Sequence, residues 1–205
     1  MYLRWGVISG LFATLFIPFI IADGVTMSSL FFPYITGKNF VFRIIIEIVA
    51  ALYIILAIRT PAYRPRAGWM LWAALAFVAW MAVATFAAAD PLKSLWSNFE
   101  RMEGYVGLVH LFVYFVIMGT MLKAEDLWER FFNTSIGVSM VIGLHALLQG
   151  LQLFGLHPSS PSGARADGTF GNATYLAVYM LFNIFLTIYM LARQGRLTQT
   201  MQSVY

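Results

Sequence analysis

The sequence predicts an all-α membrane protein with about six transmembrane helices. Hydrophobic residues make up 60% of the 205 residues and charged residues 11%, whereas soluble domains contain about 25% charged residues. The mean hydropathy is +0.77. Several apolar runs are close to the roughly 20 helical residues that cross a hydrocarbon core. These runs are residues 5–21, 40–58, 68–89, 104–122, 131–154 and 175–192.

Polar or turn-forming residues separate these runs. The first run follows Arg4 and is interpreted as a retained span, because no small-x-small cleavage site of a signal peptide follows Ile21. Residues 59–66 (RTPAYRPR) predict a tight turn between the second and third runs. Residues 123–130 (KAEDLWER) predict a surface extension of the fifth helix. Residues 155–174 are rich in Ser, Pro and Gly and predict a loop before the sixth helix.

The Lys and Arg residues predict that both termini are cytoplasmic. With the N-terminus inside, eight of them lie in cytoplasmic segments and five in outer segments, as the positive-inside rule favours. The net charge of +4 then reflects orientation and does not indicate nucleic-acid binding. The absence of cysteine excludes disulfides and thiolate metal sites. The sequence therefore predicts one transmembrane domain over residues 1–205.

Several polar residues inside the predicted spans follow helical spacing. Arg43 and Glu47 are four residues apart and are predicted to neutralise each other. Ser135, Ser139 and Gly143 predict a small-residue face for close helix packing. Two polar stripes are interpreted as facing protein or water: Glu103, Gly107, His110 and Tyr114 on the fourth span, and His145, Gln149 and Gln152 on the fifth.

Two polar segments, residues 97–104 (SNFERMEG) and 165–177 (RADGTFGNATYLA), lie on the predicted outer side where both stripes begin. This convergence predicts an outward-facing polar cavity. Arg101 and Arg165 would bring guanidinium groups to it, which bind phosphate oxygens in a bidentate fork. A phosphate or pyrophosphate is therefore the expected ligand.

Three further residues lie within one or two helical turns of Arg101. Asn98, Glu100 and Glu103 are predicted to bind a sugar, to orient the arginine or to neutralise it. A local ion-pair cluster of Glu100, Arg101 and Glu103 is the alternative interpretation.

Residues 168–171 predict a turn, and Asn172 is a good N-cap for the helix that follows. The free N–H groups of that helix start, with Arg165 beside them, favour an anion. No Asp-x-Asp motif lies in an outer loop, because Asp23, Asp90 and Asp167 are isolated. Neither a metal ion nor a cofactor is expected.

These segments resemble the O-antigen ligase family. The pattern R-x-x-G-T-F-G-N-A-x-Y-L-A at 165–177 is similar to the Arg-Gly-Asn-Leu-Ala signature of that family. Residues 96–104 (WSNFERMEG) and 31–48 (FFPYITGKNFVFRIIIEI) look like bacterial O-antigen ligase-like membrane proteins. The resemblance covers nearly the whole chain. It implies a multi-pass protein of the bacterial inner membrane, similar to the N-terminal half of a GT-C-type glycosyltransferase.

Proteins of this family transfer a glycan from an undecaprenyl pyrophosphate carrier to a periplasmic acceptor, which is a lipid A core sugar, a growing polysaccharide or a protein hydroxyl. Family arginines near the outer face contact the pyrophosphate, and Arg101 and Arg165 match them. The resemblance thus implies that this chain supplies the donor-pyrophosphate side of the site. Its partners would be the lipid bilayer, the lipid-linked glycan donor and the acceptor.

The sequence departs from the family pattern in one respect. Family members have more spans and a large later outer loop with the proposed catalytic histidine, and nothing here corresponds to that loop. The chain is therefore expected to be an N-terminal portion that is inactive alone. No catalytic residue is assigned to it, and His110, His145 and His157 are not given that role. Two other classes stay open: a flippase or transporter half, and a non-catalytic membrane assembly subunit.

Overall fold

The chain is described from a computed structural model, which covers residues 2–22, 33–98, 101–159 and 165–202, with side chains as far as residue 194. Helices account for 78% of the structure, and the described residues contain no strand. The chain forms two compact units, Met1–Lys123 (unit 1) and Ala124–Tyr205 (unit 2). The all-α prediction is confirmed, and the single transmembrane domain stays a prediction.

The helix bounds agree with most of the predicted spans. In unit 1 the described helices are α1 Tyr2–Ala13, α2 Thr36–Arg59, α3 Trp69–Phe86, α4 Pro91–Trp96 and α5 Tyr105–Met121. Unit 2 contains α6 Glu125–Gly150 and α7 Ala173–Gln202. α1 continues as a 3-10 helix over Thr14–Phe19, which contains Pro18. Proline has no N–H to donate to an α-helical hydrogen bond.

Five described helices are long and apolar enough to cross a membrane: Tyr2–Phe19, Thr36–Arg59, Trp69–Phe86, Glu125–Gly150 and Ala173–Gln194. The fourth predicted span, residues 104–122, corresponds to α5, which has only 17 residues. It ends at Met121 because the next residue, Leu122, leaves helical geometry with a ψ of 64°. The structure therefore supports a multi-pass membrane protein with five full-length candidate spans.

A glycine face brings α1 and α2 together in antiparallel order. A Cβ on Gly10 would lie 2.2 Å from Cγ2 of Val49, and one on Gly6 would lie 3.4 Å from Cδ1 of Leu52. Because valine is stiff at χ1, Val49 has little freedom to move away. Glycine at position 10 thus permits the close approach that apolar membrane helices need. Val7, Leu11 and Ile46 are buried in the same unit.

The exposed faces of the unit-1 helices are apolar. Trp69, Trp72 and Trp80 on α3 are exposed by 79%, 61% and 72%. Of the α3 side chains, Val78 and Thr85 are buried. A helix that is apolar on every face and has few buried residues is suited to lipid. α3 is therefore compatible with contact with the bilayer.

Small residues of α6 pack against α7, as the sequence predicts. A Cβ on Gly143 would lie 3.6 Å from Sδ of Met180. The Ser135 hydroxyl donates to Oδ1 of Asn183 at 3.0 Å, and Ser139 is buried. α6 also begins at Glu125, which confirms that most of residues 123–130 extend the fifth predicted span.

Candidate functional site

The first predicted site segment, residues 97–104, folds back against a short helix that the sequence analysis did not identify. Asp90 caps α4 by accepting a hydrogen bond from the Lys93 N–H at 3.0 Å, and Pro91 occupies the first helical turn. An Asp followed by Pro is a common helix start, so this helix could have been predicted. A Cβ on Gly104 would lie 2.2 Å from the Leu95 carbonyl oxygen. Glycine is therefore required where the segment returns past α4.

Two side chains of α2 hold the backbone of this segment. Asn39 donates from Nδ2 to the Arg101 carbonyl oxygen at 2.7 Å. Arg43, one helical turn further on, donates from Nη2 to the Met102 carbonyl oxygen. Met102 has a φ of 53°, a left-handed conformation that is uncommon for residues other than glycine. The segment thus has a defined backbone conformation that α2 stabilises.

A cavity of about 330 Å³ lies beside the segment, between the N-terminal parts of α2 and α5. Arg43 is buried, and its Nη2 would lie 3.6 Å from a Cβ on Gly107. The guanidinium therefore occupies space next to α5 that glycine leaves open. The polar lining of the cavity comes from Asn39, Arg43 and Glu103, with Phe42, Leu108 and Leu111 among the apolar lining residues.

The structure places three of the four predicted site residues of this segment. Asn98 is exposed, and its carbonyl oxygen accepts from the Arg101 N–H at 3.3 Å and the Met102 N–H at 3.0 Å. Arg101 is exposed, while Glu103 is exposed and lines the cavity. Glu100 lies outside the described residues. No ion pair joins Arg101 to Glu103 or to another residue of the described ranges.

The polar residues of α2 and α5 have different partners from those predicted. Oε1 of Glu47 lies 3.3 Å from Nε2 of His110. Arg43 instead donates to the Met102 carbonyl oxygen. The Nδ1 atom of His110 lies 2.7 Å from the Val106 carbonyl oxygen. The prediction that Arg43 and Glu47 neutralise each other is therefore wrong as a direct pairing, although their charges still interact. The reason is that each of them has another partner: the backbone of the 97–104 segment for Arg43, and His110 of α5 for Glu47.

In unit 2, Gln149 on α6 anchors the second predicted site segment with both ends of its amide. Its Nε2 donates to Oδ1 of Asp167 at 2.8 Å and to the His157 carbonyl oxygen at 3.0 Å. Its Oε1 accepts from the N–H groups of Asp167 at 3.0 Å and Gly168 at 2.8 Å. Gln149 is 4% exposed and Asp167 is 1% exposed. This Gln149–Asp167 cluster therefore gives one residue of the predicted polar stripe a structural role.

Asp167 has a structural role in this segment that the sequence does not reveal, because its partners are distant in the chain. Its carboxylate also accepts from the Ser159 N–H at 3.0 Å and from the Ser159 hydroxyl. Its carbonyl oxygen accepts from the Phe170 N–H at 3.0 Å. Gly168 and Gly171 have φ values of 55° and 65°, which glycine adopts without steric cost. The predicted turn over 168–171 is therefore confirmed, and an Asp-Gly pair is a usual sign of such a turn.

Asn172 caps α7, as predicted. Its Oδ1 accepts from the Thr174 N–H at 2.8 Å, which satisfies one of the N–H groups that a helix start leaves without an intrahelical partner. Arg165 is exposed. Arg101 belongs to unit 1 and Arg165 to unit 2, so a single ligand for both arginines stays a prediction.

Among the residues that the structure describes, no group of three or more His, Asp or Glu side chains is placed to hold a metal ion. No protein-family model, curated protein or solved structure matches the chain.

Proposed function

We propose that this chain is an O-antigen ligase-like membrane glycosyltransferase component. It would bind the pyrophosphate of an undecaprenyl-linked glycan on the outer side of the bacterial inner membrane, for transfer of the glycan to a periplasmic acceptor. The observation that carries the proposal is the position of Arg101. Arg101 is exposed, and Asn39 holds its carbonyl oxygen next to the cavity that Arg43 and Glu103 line.

A held backbone favours anion binding because less freedom is lost when the ligand arrives. Arg101 has no ion-pair partner among the described residues, so its guanidinium can form the bidentate hydrogen bonds that phosphate oxygens accept. Arg43 lines the cavity and adds a second permanent positive charge. Glu103 at the cavity supplies a carboxylate that suits the hydroxyl groups of a sugar.

Such cations favour the chemistry of glycan transfer. Displacement of a lipid pyrophosphate from an anomeric carbon places negative charge on the leaving oxygen. Preorganised arginines stabilise that charge in a site that excludes water. In unit 2, Arg165 lies ahead of the α7 start, and the Gln149–Asp167 cluster fixes the backbone that follows it. The resemblance of 165–177 to the family signature implies that this arginine would also contact the pyrophosphate.

The proposal is tested by titrating the purified chain, in detergent, with undecaprenyl pyrophosphate. We expect Arg101→Ala and Arg165→Ala each to weaken binding by about 1.5 kcal/mol or more, the scale of a hydrogen bond to a charged group. That is roughly a tenfold rise in Kd. Lys93→Ala is the matched control, because Lys93 is an exposed cation on α4 near the same segment.

Equal binding by the native chain and both arginine variants would overturn the proposal, as would an equal loss in Lys93→Ala. A flippase half or a non-catalytic subunit would also bind the carrier lipid. To separate these classes, the chain is incubated with the remaining parts of the transferase and a lipid-linked glycan. If the chain is part of the transferase, the donor is consumed only when the chain is present.

A further inference from the structure

A second cavity, of about 230 Å³, lies at the opposite end of unit 1, between α3 and α5. Its cationic lining residues are Arg64, Arg66 and Lys123, and none of the lining residues carries a carboxylate. The first acidic residues after Lys123 belong to unit 2, where Glu125 pairs with Arg193 at 3.0 Å. The cavity is therefore a concentration of positive charge, here named the basic groove.

Hydrogen bonds fix the turn that carries these cations. The Tyr53 hydroxyl donates to the Tyr63 carbonyl oxygen at 2.9 Å, and Arg64 donates from Nε to the Ala57 carbonyl oxygen at 3.1 Å. Lys123 donates to the Ala62 carbonyl oxygen at 2.8 Å. Arg64, Arg66 and Lys123 are all exposed. The cationic groups are thus brought together before any ligand binds.

Apart from Thr120, the rest of the groove is lined by apolar residues and glycine, and it runs between α3 and α5. Met70 and Leu71 line it from α3, and Phe115 and Val116 line it from α5. Gly119 leaves it open, because a Cβ there would meet nothing within 4 Å. A cationic end joined to an apolar slot matches a molecule with an anionic head and an acyl chain.

We propose that the basic groove is a binding site for one anionic phospholipid, whose phosphate contacts Arg64, Arg66 and Lys123 and whose acyl chain lies along α3 and α5 past Gly119. Basic pockets between membrane helices bind anionic headgroups in this way. The end of unit 1 that carries the groove is also the end that the Lys and Arg distribution places in the cytoplasm. The site is separate from the Arg101 cavity and does not depend on the proposed glycosyltransfer.

The test measures binding of phosphatidylglycerol to the purified full chain in a zwitterionic detergent, with phosphatidylcholine and sn-glycerol 3-phosphate as comparison ligands. We expect saturable binding of phosphatidylglycerol alone. Arg66→Gln removes a charge without removing any hydrogen bond of the described turn, and it should weaken binding about fivefold. Arg130→Gln is the control, since Arg130 is an exposed cation of the same predicted side outside the groove.

Gly119→Leu tests the acyl slot independently of charge. A Cβ at this position meets nothing within 4 Å, so we expect the variant to fold, which equal thermal unfolding in lipid-free detergent verifies. It should weaken phosphatidylglycerol binding at least as much as Arg66→Gln. Equal losses in Arg66→Gln and Arg130→Gln would show diffuse attraction and overturn the proposal. Unchanged binding in Gly119→Leu, or equal affinity for sn-glycerol 3-phosphate, would overturn it as well.

Discussion

Replacement of Gln149 by Leu should release the loop that carries Arg165. The change removes four hydrogen bonds, two donated to Asp167 and His157 and two accepted from Asp167 and Gly168. Asp167 is 1% exposed, so water does not replace the lost partners in the closed state. Buried groups left without a partner cost about 1–3 kcal/mol each. Because these groups act together, we expect a total of about 3 kcal/mol.

Trypsin cleavage after Arg165 reports this loss locally. Arg165 is exposed, but Asp167 is buried two residues later, and a protease needs several residues in extended form. Cleavage therefore requires the loop to open, and its rate follows the open population when closing is fast. A loss of about 3 kcal/mol raises that population roughly 100-fold. The assay measures cleavage of the peptide bond between Arg165 and Ala166 in detergent, by mass spectrometry of the fragments.

Gln152→Leu is the matched control. Gln152 has the same side chain and is exposed. Its φ of 55° costs Gln and Leu the same backbone strain, so the substitution does not change that cost. We expect its cleavage rate to equal that of the native chain. If Gln149→Leu is cleaved at the native rate, or if the native chain is cleaved as fast as the variant, the cluster does not hold the loop.

Four further substitutions test other parts of the structure. Gly104→Ala places a Cβ 2.2 Å from the Leu95 carbonyl oxygen. We expect it to lower the free energy of unfolding by about 1–3 kcal/mol, as overpacking does. A midpoint of SDS unfolding equal to that of the native chain would contradict this close packing. Gly10→Ala places a Cβ 2.2 Å from Cγ2 of Val49 and should lower the thermal unfolding temperature. Gly137→Ala is the contrast, because a Cβ there meets nothing within 4 Å. It should raise the free energy of unfolding by about 0.5–1 kcal/mol. Asn39→Leu removes the hydrogen bond to the Arg101 carbonyl oxygen. Loss of this bond, worth about 1 kcal/mol, should raise the rate of trypsin cleavage after Arg101 about fivefold. An unchanged rate would show that α2 does not restrain this segment.

The helices could be predicted from the sequence because apolar composition decides which segments suit lipid. α2 and α3 follow the predicted runs closely, whereas α7 starts near the predicted start and continues ten residues past residue 192. α5 matches the predicted run 104–122 to within one residue at each end. α4 was missed because its six residues are far too few for a span, although Asp90 and Pro91 are a typical helix start.

The candidate site was predictable only where the interactions are local. The Asn172 cap joins residues two positions apart and follows from residue type. The cluster of Gln149 and Asp167 joins residues 18 positions apart, and the contact of Asn39 with Arg101 spans 62. Spacing within one helix carries no information about such pairs. For the same reason the sequence could not show that Glu47 faces His110.

α2 connects both ends of unit 1. Near its start, Asn39 and Arg43 hold the Arg101 segment, and near its end Tyr53 and Ala57 hold the turn that carries the basic groove. Its 24 residues form a rod about 36 Å long at about 1.5 Å per residue. A tilt or rotation of this rod would move both attached segments together. Through this rod, the position of the Arg101 segment is tied to that of the turn that carries the basic groove.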